Sequence, residues 1–207
     1  MTFLIDQLDN KIKKICHAFF LAIPILVSLG INATIFANDI LRLTIKGDSS
    51  GIIDIRLNEE VAPQHVKRIK LLVNEKLYDG VVFHRVIPNF MAQTGDVKYG
   101  NITNLDSSLV GMGGSDYPML IEEFSNRPFV QGTVGMARSQ DPNSANSQFF
   151  IMFEPAPHLN GKYTVVGEVV EGMNVVQMIK KGKQSSNGSV EVPDYIVKAE
   201  IIKIKQY

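Results

Sequence analysis

The sequence predicts a mainly β domain, an antiparallel barrel with helices over its ends. Three observations carry that expectation. Short runs of alternating apolar and polar residues recur from about residue 40 to the C-terminus. Only two stretches, far apart near residues 63–73 and 174–181, change to helical spacing. Clusters of Gly, Pro, Asn and Asp separate the runs. Many strands with two distant helices suit a closed antiparallel barrel, although the pattern alone leaves a sandwich open.

The first two strands form a hairpin. Leu41, Leu43 and Ile45 alternate with Arg42, Thr44 and Lys46, and Ile53, Ile55 and Leu57 alternate with Asp54, Arg56 and Asn58. Residues 47–51 are the polar turn between them. From Pro63 the period changes, and Val66, Ile69, Leu72 and Val73 share one helix face. Tyr78, Asp79 and Gly80 turn the chain into a strand-like run of Val81, Phe83, Val86 and Ile87, interrupted by Arg85. Pro88 and Asn89 are a turn pair. Residues 97–118 read as a loop carrying Gly100, Gly111, Gly113 and Gly114. Further strands are expected at 133–136, 148–153, 164–170 and 195–204, with a short helix over 174–181 marked by Val175, Val176 and Ile179.

Before the first strand lies a different kind of segment. Lys11, Lys13 and Lys14 precede an apolar run from Ala18 to Gly30, and Ala33 to Ala37 follows with small residues suited to processing. A positive start, about a dozen apolar residues and a small-residue end read as a secretory signal peptide, with cleavage expected after Ala37. The alternative is an uncleaved anchor; the run reaches the ~20 residues of a spanning helix only if it extends through residues 31–36. The division is therefore 1–37 as signal or anchor and 38–207 as the functional domain. The expected location is periplasmic, or the inner membrane facing the periplasm if residues 15–37 remain. Cys16, the single cysteine, excludes an intrachain disulfide.

A chain of 207 residues with 45% apolar and 20% charged residues fits one sizeable globular domain plus an extension. Lys and Arg together number 21, as do Asp and Glu, so nothing marks a nucleic-acid surface. No internal repeat or low-complexity run is visible, and a monomer is the default expectation.

The most informative stretch is Phe83 to Asp96, F-H-R-V-I-P-N-F-M-A-Q-T-G-D. It gathers a guanidinium (Arg85), a ring (Phe90), a thioether (Met91) and an amide (Gln93). Met91 and Gln93 are two apart and share a face if this is a strand. The set has no nucleophile with a partnered base and no carboxylate pair. It suits a site that holds an apolar group and directs hydrogen bonds at a neighbouring amide. A peptidyl-proline combines those needs: its ring is apolar, its nitrogen has no hydrogen, and the bond before it rotates over a barrier of ~18–20 kcal/mol. Ser147 to Phe153, S-Q-F-F-I-M-F, adds a second amide (Gln148) and ring (Phe150) at period two.

With M-A-R-S-Q-D-P-N-S-A-N-S-Q-F-F-I and Y-T-V-V-G-E-V-V-E-G-M, these motifs resemble the cyclophilin-type peptidyl-prolyl isomerases of bacterial, exported kind, over about Ile40 to Lys205. The resemblance implies eight strands and two capping helices, with isomerisation of X-Pro bonds in proline-containing polypeptides during folding of exported proteins. The other reading is a chaperone or scaffold of the same fold with little turnover; an intact Arg85 favours the enzyme.

By the same resemblance Arg85 is the catalytic residue, acting on the proline amide. Phe90, Met91, Phe150 and Leu159 match the proline pocket. Gln93 is expected on the substrate backbone, Gln148 along the same groove, and Gly111 in a glycine-rich loop beside it, lengthened here by residues 101–110. Ala137 and Arg138 match a segment that contacts substrate through its main chain. His158 and Tyr163 stand at the pocket edge, where the best-known eukaryotic members carry tryptophan and histidine; the indole donor is thereby lost, and the resemblance carries no expectation of tight cyclosporin binding.

No cofactor or metal is expected: His65, His84 and His158 lack ligand spacing. His84 reads as a buried, hydrogen-bonded strand histidine. The run G-M-G-G at 111–114 lacks the Lys-Ser/Thr end of a phosphate loop, and no nucleophile elbow supports a serine hydrolase.

Overall fold

The computed structural model describes residues 38–204. The signal or anchor segment, its cleavage after Ala37 and Cys16 lie outside the described residues. Eight strands follow in the order β1 (Asn38–Lys46), β2 (Gly51–Leu57), β3 (Arg85–Ile87), β4 (Met91–Thr94), β5 (Thr133–Met136), β6 (Phe149–Met152), β7 (Val165–Glu171) and β8 (Tyr195–Ile204). Helix α1 (Pro63–Asn74) lies between β2 and β3, and α2 (Met173–Met178) between β7 and β8. Every pairing is antiparallel, and the sheet order is β3-β4-β6-β5-β7-β2-β1-β8.

The hairpin forms as its alternation requires. Leu41 faces Ile55 and Leu43 faces Ile53, and all four are buried. Helix α1 begins at Pro63, whose fixed φ suits the first helical position. Ala62 before it has no capping side chain. Glu123 supplies the cap from far along the chain, accepting from the Gln64 and His65 backbone N–H groups at 3.1 Å and meeting His65 Nδ1 at 2.7 Å. The buried face holds the expected Val66, Ile69, Leu72 and Val73, and also His65 and Arg68. Arg68 Nη2 donates to Pro118 O at 2.9 Å, so the helix and the 115–123 segment are tied at two points.

Helix α2 ends at Met178, short of the expected Lys181. Its last turn is stopped by a buried carboxylate: the Lys180 N–H donates to Asp194 at 2.8 Å, and Ser49 Oγ donates to the same group at 3.0 Å. Its start needs a glycine. Gly172 has φ +84, and a Cβ there would lie 2.0 Å from Ile52 O.

The expected closure goes slightly too far. The sheet curls into a half-barrel whose edge strands are β3 and β8. Near these edges are isolated bridges rather than a ladder, from Val82 before β3 to Tyr195 of β8, and from Arg85 of β3 to Ser189 before β8. The cause is in residues 81–84, which are all buried and so cannot keep a two-residue alternation. The strand read across the whole run from Val81 is therefore confined to Arg85–Ile87.

Alternation on the central strands separates two apolar clusters. Ala92, Val134, Met136, Phe149 and Ile151 point into the main core with Phe83, Leu72 and Val176. Met91, Phe150 and Met152, from the same strands, face the other way and pack with Phe129, Leu159 and Val165. This second cluster is the floor of the site. Among the described residues no helix is long and apolar enough to cross a membrane.

Candidate active site

Strands β3, β4 and β6 lie side by side, with Arg85 opposite Gln93 and Gln93 opposite Phe150. Three side chains from three strands are therefore in one row. Asn89, with φ +58, makes the turn that sends Phe90 and Met91 back along this row. Together with Ala137, Arg138, Leu159 and Tyr163 they line a cavity of about 170 Å³.

The walls are mostly rings. Phe150 stacks on Phe129 at 5.7 Å and meets Tyr163 edge-on at 5.8 Å and 87°. The Arg138 guanidinium lies 4.4 Å from the centre of the Tyr163 ring, and its Nη2 donates to Lys162 O at 2.9 Å. Its side chain thus fixes the wall, a part that a contact through the main chain alone did not foresee. Gly135, opposite Phe150 on β5, leaves room for these rings: a Cβ there would lie 2.6 Å from Phe150 Cζ.

The polar edge is a chain of hydrogen bonds. Arg85 Nη1 donates to Gln93 Oε1 at 3.0 Å, and Gln93 Nε2 donates to Gln148 Oε1 at 2.9 Å. Gln148 Nε2 donates to Gly111 O at 3.0 Å and Gly113 O at 2.8 Å. The two glycine N–H groups donate to Asp96 Oδ2, and those of Lys98 and Tyr99 to Oδ1. Residues 97–110 thus leave and return to one buried carboxylate. On its far side Arg85 donates through Nε to Asn187 O at 3.1 Å and through Nη2 to Asn187 Oδ1 at 3.0 Å. Burial lowers the pKa of Arg85 from its ordinary value, with Tyr163 opposing; a guanidinium still stays charged at neutral pH.

Nine of the twelve expected residues line this cavity. The other three do not. Gly111 and Gln148 line a neighbouring cavity of about 590 Å³, which shares Gln93, Ala137 and Arg138 with the first. His158 is exposed and stacks on Phe90 at 5.8 Å, outside the cavity. Asn187 was missed; the Asn-Gly pair at 187–188 marks a turn but not a contact 102 residues away.

His84 differs from the expected hydrogen-bonded strand histidine. It precedes β3 and is buried, yet neither ring nitrogen has a hydrogen-bond partner, although Val82 and the Gln148 side chain lie close. Burial pushes its pKa down to about 4, against the attraction of Asp96. The folded value is below the unfolded value of about 6.5, so the unfolded chain takes up the proton first as pH falls. Stability is expected to be level above pH ~6.5 and to decline toward pH ~4, by about 3 kcal/mol in all from this group. Burial lowers His65 in the same direction. Thermal unfolding from pH 8 to 5 checks this; His84→Gln is expected to flatten the decline, and an equal decline in that variant would contradict the assignment.

Comparison with known proteins places the chain in a family. Residues 40–201 match the family model described as cyclophilin type peptidyl-prolyl cis-trans isomerase/CLD. A probable peptidyl-prolyl cis-trans isomerase of Brucella suis is 57% identical over 176 residues, 84% of this chain and 90% of that protein. Peptidyl-prolyl cis-trans isomerase B of Bacillus subtilis is 38% identical over 139 residues, covering 67% of this chain and 85% of its own length. The crystal structure of a cyclophilin from Hirschia baltica superposes with a TM-score of 0.64 at 26% identity, over 78% of this chain and 73% of that one. The chain belongs to the cyclophilin-type peptidyl-prolyl cis-trans isomerases.

Proposed function

We propose that the domain acts as a monomer on proline-containing segments of exported proteins outside the cytoplasm, and that Arg85 acts on the rotating bond. One observation carries this reading: a charged fork, held at both ends, stands at the rim of an aromatic cavity of about 170 Å³. The proline ring enters against Phe90, Met91, Phe150 and Leu159. Its amide nitrogen then lies toward the guanidinium. In the planar ground state the nitrogen lone pair is delocalised and accepts little. In the twisted state it is localised, and a donor meets it better. An interaction stronger in the twisted state lowers the barrier. No proton leaves carbon and no covalent intermediate is needed.

Export rests on residues 11–37, where three lysines precede the apolar run and small residues end it. Removing residues 1–37 leaves 18 basic and 19 acidic residues, a balance without a charge-driven partner. The test is to fractionate cells producing the full chain and read its N-terminus. A periplasmic form beginning near Asn38 is expected. An intact chain in the membrane supports the anchor in place of the signal, and an intact cytoplasmic chain contradicts export. The same mature form, added to a protein whose refolding waits ~10–100 s on X-Pro isomerisation, is expected to remove that slow phase. An unchanged slow phase contradicts polypeptide substrates.

A further inference from the structure

We infer that Asn187 is a positioning residue for the isomerisation, setting which edge of the Arg85 guanidinium faces the substrate. This rests on the reading of Arg85 given above. A guanidinium carries five N–H donors in a fixed plane. Asn187 takes two from one edge, Nε–H through its backbone oxygen and one Nη2–H through Oδ1. Gln93 takes one Nη1–H. One hydrogen on each terminal nitrogen remains for the substrate. A fork gripped at three points cannot turn about its long flexible stem, so the entropy of ordering it is lost on folding and not at each turnover.

The loop that carries Asn187 is built onto Arg85's own strand. Val86 N donates to Gly188 O at 2.7 Å, and Arg85 bridges Ser189. The loop closes on itself, Asn187 N donating to Gln184 O at 3.1 Å and Gly188 N to Lys183 O at 3.0 Å. Asn187 has φ +51, a left-handed conformation that asparagine tolerates and that turns both its oxygens toward one side. Gly188, with φ +79, sits against Val86 and Ile87; a Cβ there would lie 2.5 Å from Ile87 Cγ1. The guanidinium and its clamp therefore move as one body.

The test compares Asn187→Gly and Asn187→Asp in the folded domain. Glycine suits the φ and keeps the backbone acceptor, so only Oδ1 is lost. Aspartate keeps an oxygen in its place. Asn187→Gly is expected to lower kcat for an X-Pro peptide by about tenfold with KM within about twofold, and Asn187→Asp to recover most of that loss. A kcat for Asn187→Gly within about twofold of the unmodified chain, or an Asp variant as slow as the Gly variant, overturns the proposal. Side-chain nitrogen resonances of Arg85 give a readout free of turnover. Separate Nη signals are expected in the unmodified chain and averaged ones in Asn187→Gly; averaged signals in the unmodified chain overturn the clamp. A chain with separate signals and no turnover would instead refute the isomerase reading of the site.

Discussion

Arg85→Ala is expected to lower kcat/KM for an X-Pro test peptide by about a hundredfold or more, or about 2.7 kcal/mol of transition-state stabilisation. The loss falls on the rotating state because Arg85 supplies the charged fork of this polar row: Gln93 Nε2 gives one of its two N–H donors to Gln148, and Gln148 Nε2 gives both of its own to loop carbonyls. The fold is expected to persist. Arg85 is only half-buried, and the acceptors it leaves at Asn187 and Gln93 can be met by water. Arg85→Lys keeps the charge without the planar fork, so it recovers a minor part of the rate. Peptide exchange measured by NMR, with thermal unfolding as the fold control, checks both variants. A rate for Arg85→Ala within about threefold of the unmodified chain would show that the cavity alone supplies the acceleration.

Phe150→Ala carries the second large effect, and it falls on stability as well as on substrate. Phe150 is 5% exposed, stacked on Phe129 and edge-on to Tyr163. Truncating a buried phenylalanine costs about 3–5 kcal/mol through lost transfer energy and the hole left behind. The floor beneath the proline is then missing, so KM is expected to rise even at temperatures where the variant is folded. Unfolding by urea and saturation kinetics at low temperature separate the two effects. A variant as stable as the parent would place Phe150 outside the second apolar cluster, and an unchanged KM would remove it from the proline contact.

These expectations draw unequally on sequence and structure. Strands β1 and β2 were legible because each has one face in the core, so alternation marks them residue by residue. Val81 to His84 misled the same reasoning, since a segment buried on all sides has no periodicity to detect. The end of α2 was hidden because Asp194, which stops it, lies beyond the helix in the chain. The candidate site was picked out mainly through family resemblance. From residue type alone Phe90, Met91 and Phe150 are ordinary core candidates, and Arg85 an ordinary surface cation. The structure adds what no local pattern records: the clamp of Asn187 on Arg85, the cap of Glu123 on α1, and the stack that places His158 outside the cavity.

The most direct test is cis–trans exchange of an X-Pro peptide by residues 38–207, with binding followed on the same sample. The predicted result is exchange that accelerates with enzyme concentration and saturates with peptide, the bound peptide interconverting far faster than the ~10–100 s of the free bond. A folded domain that binds the peptide and leaves its exchange at the free rate would contradict the account, and the cavity would then be a grip for proline segments without turnover.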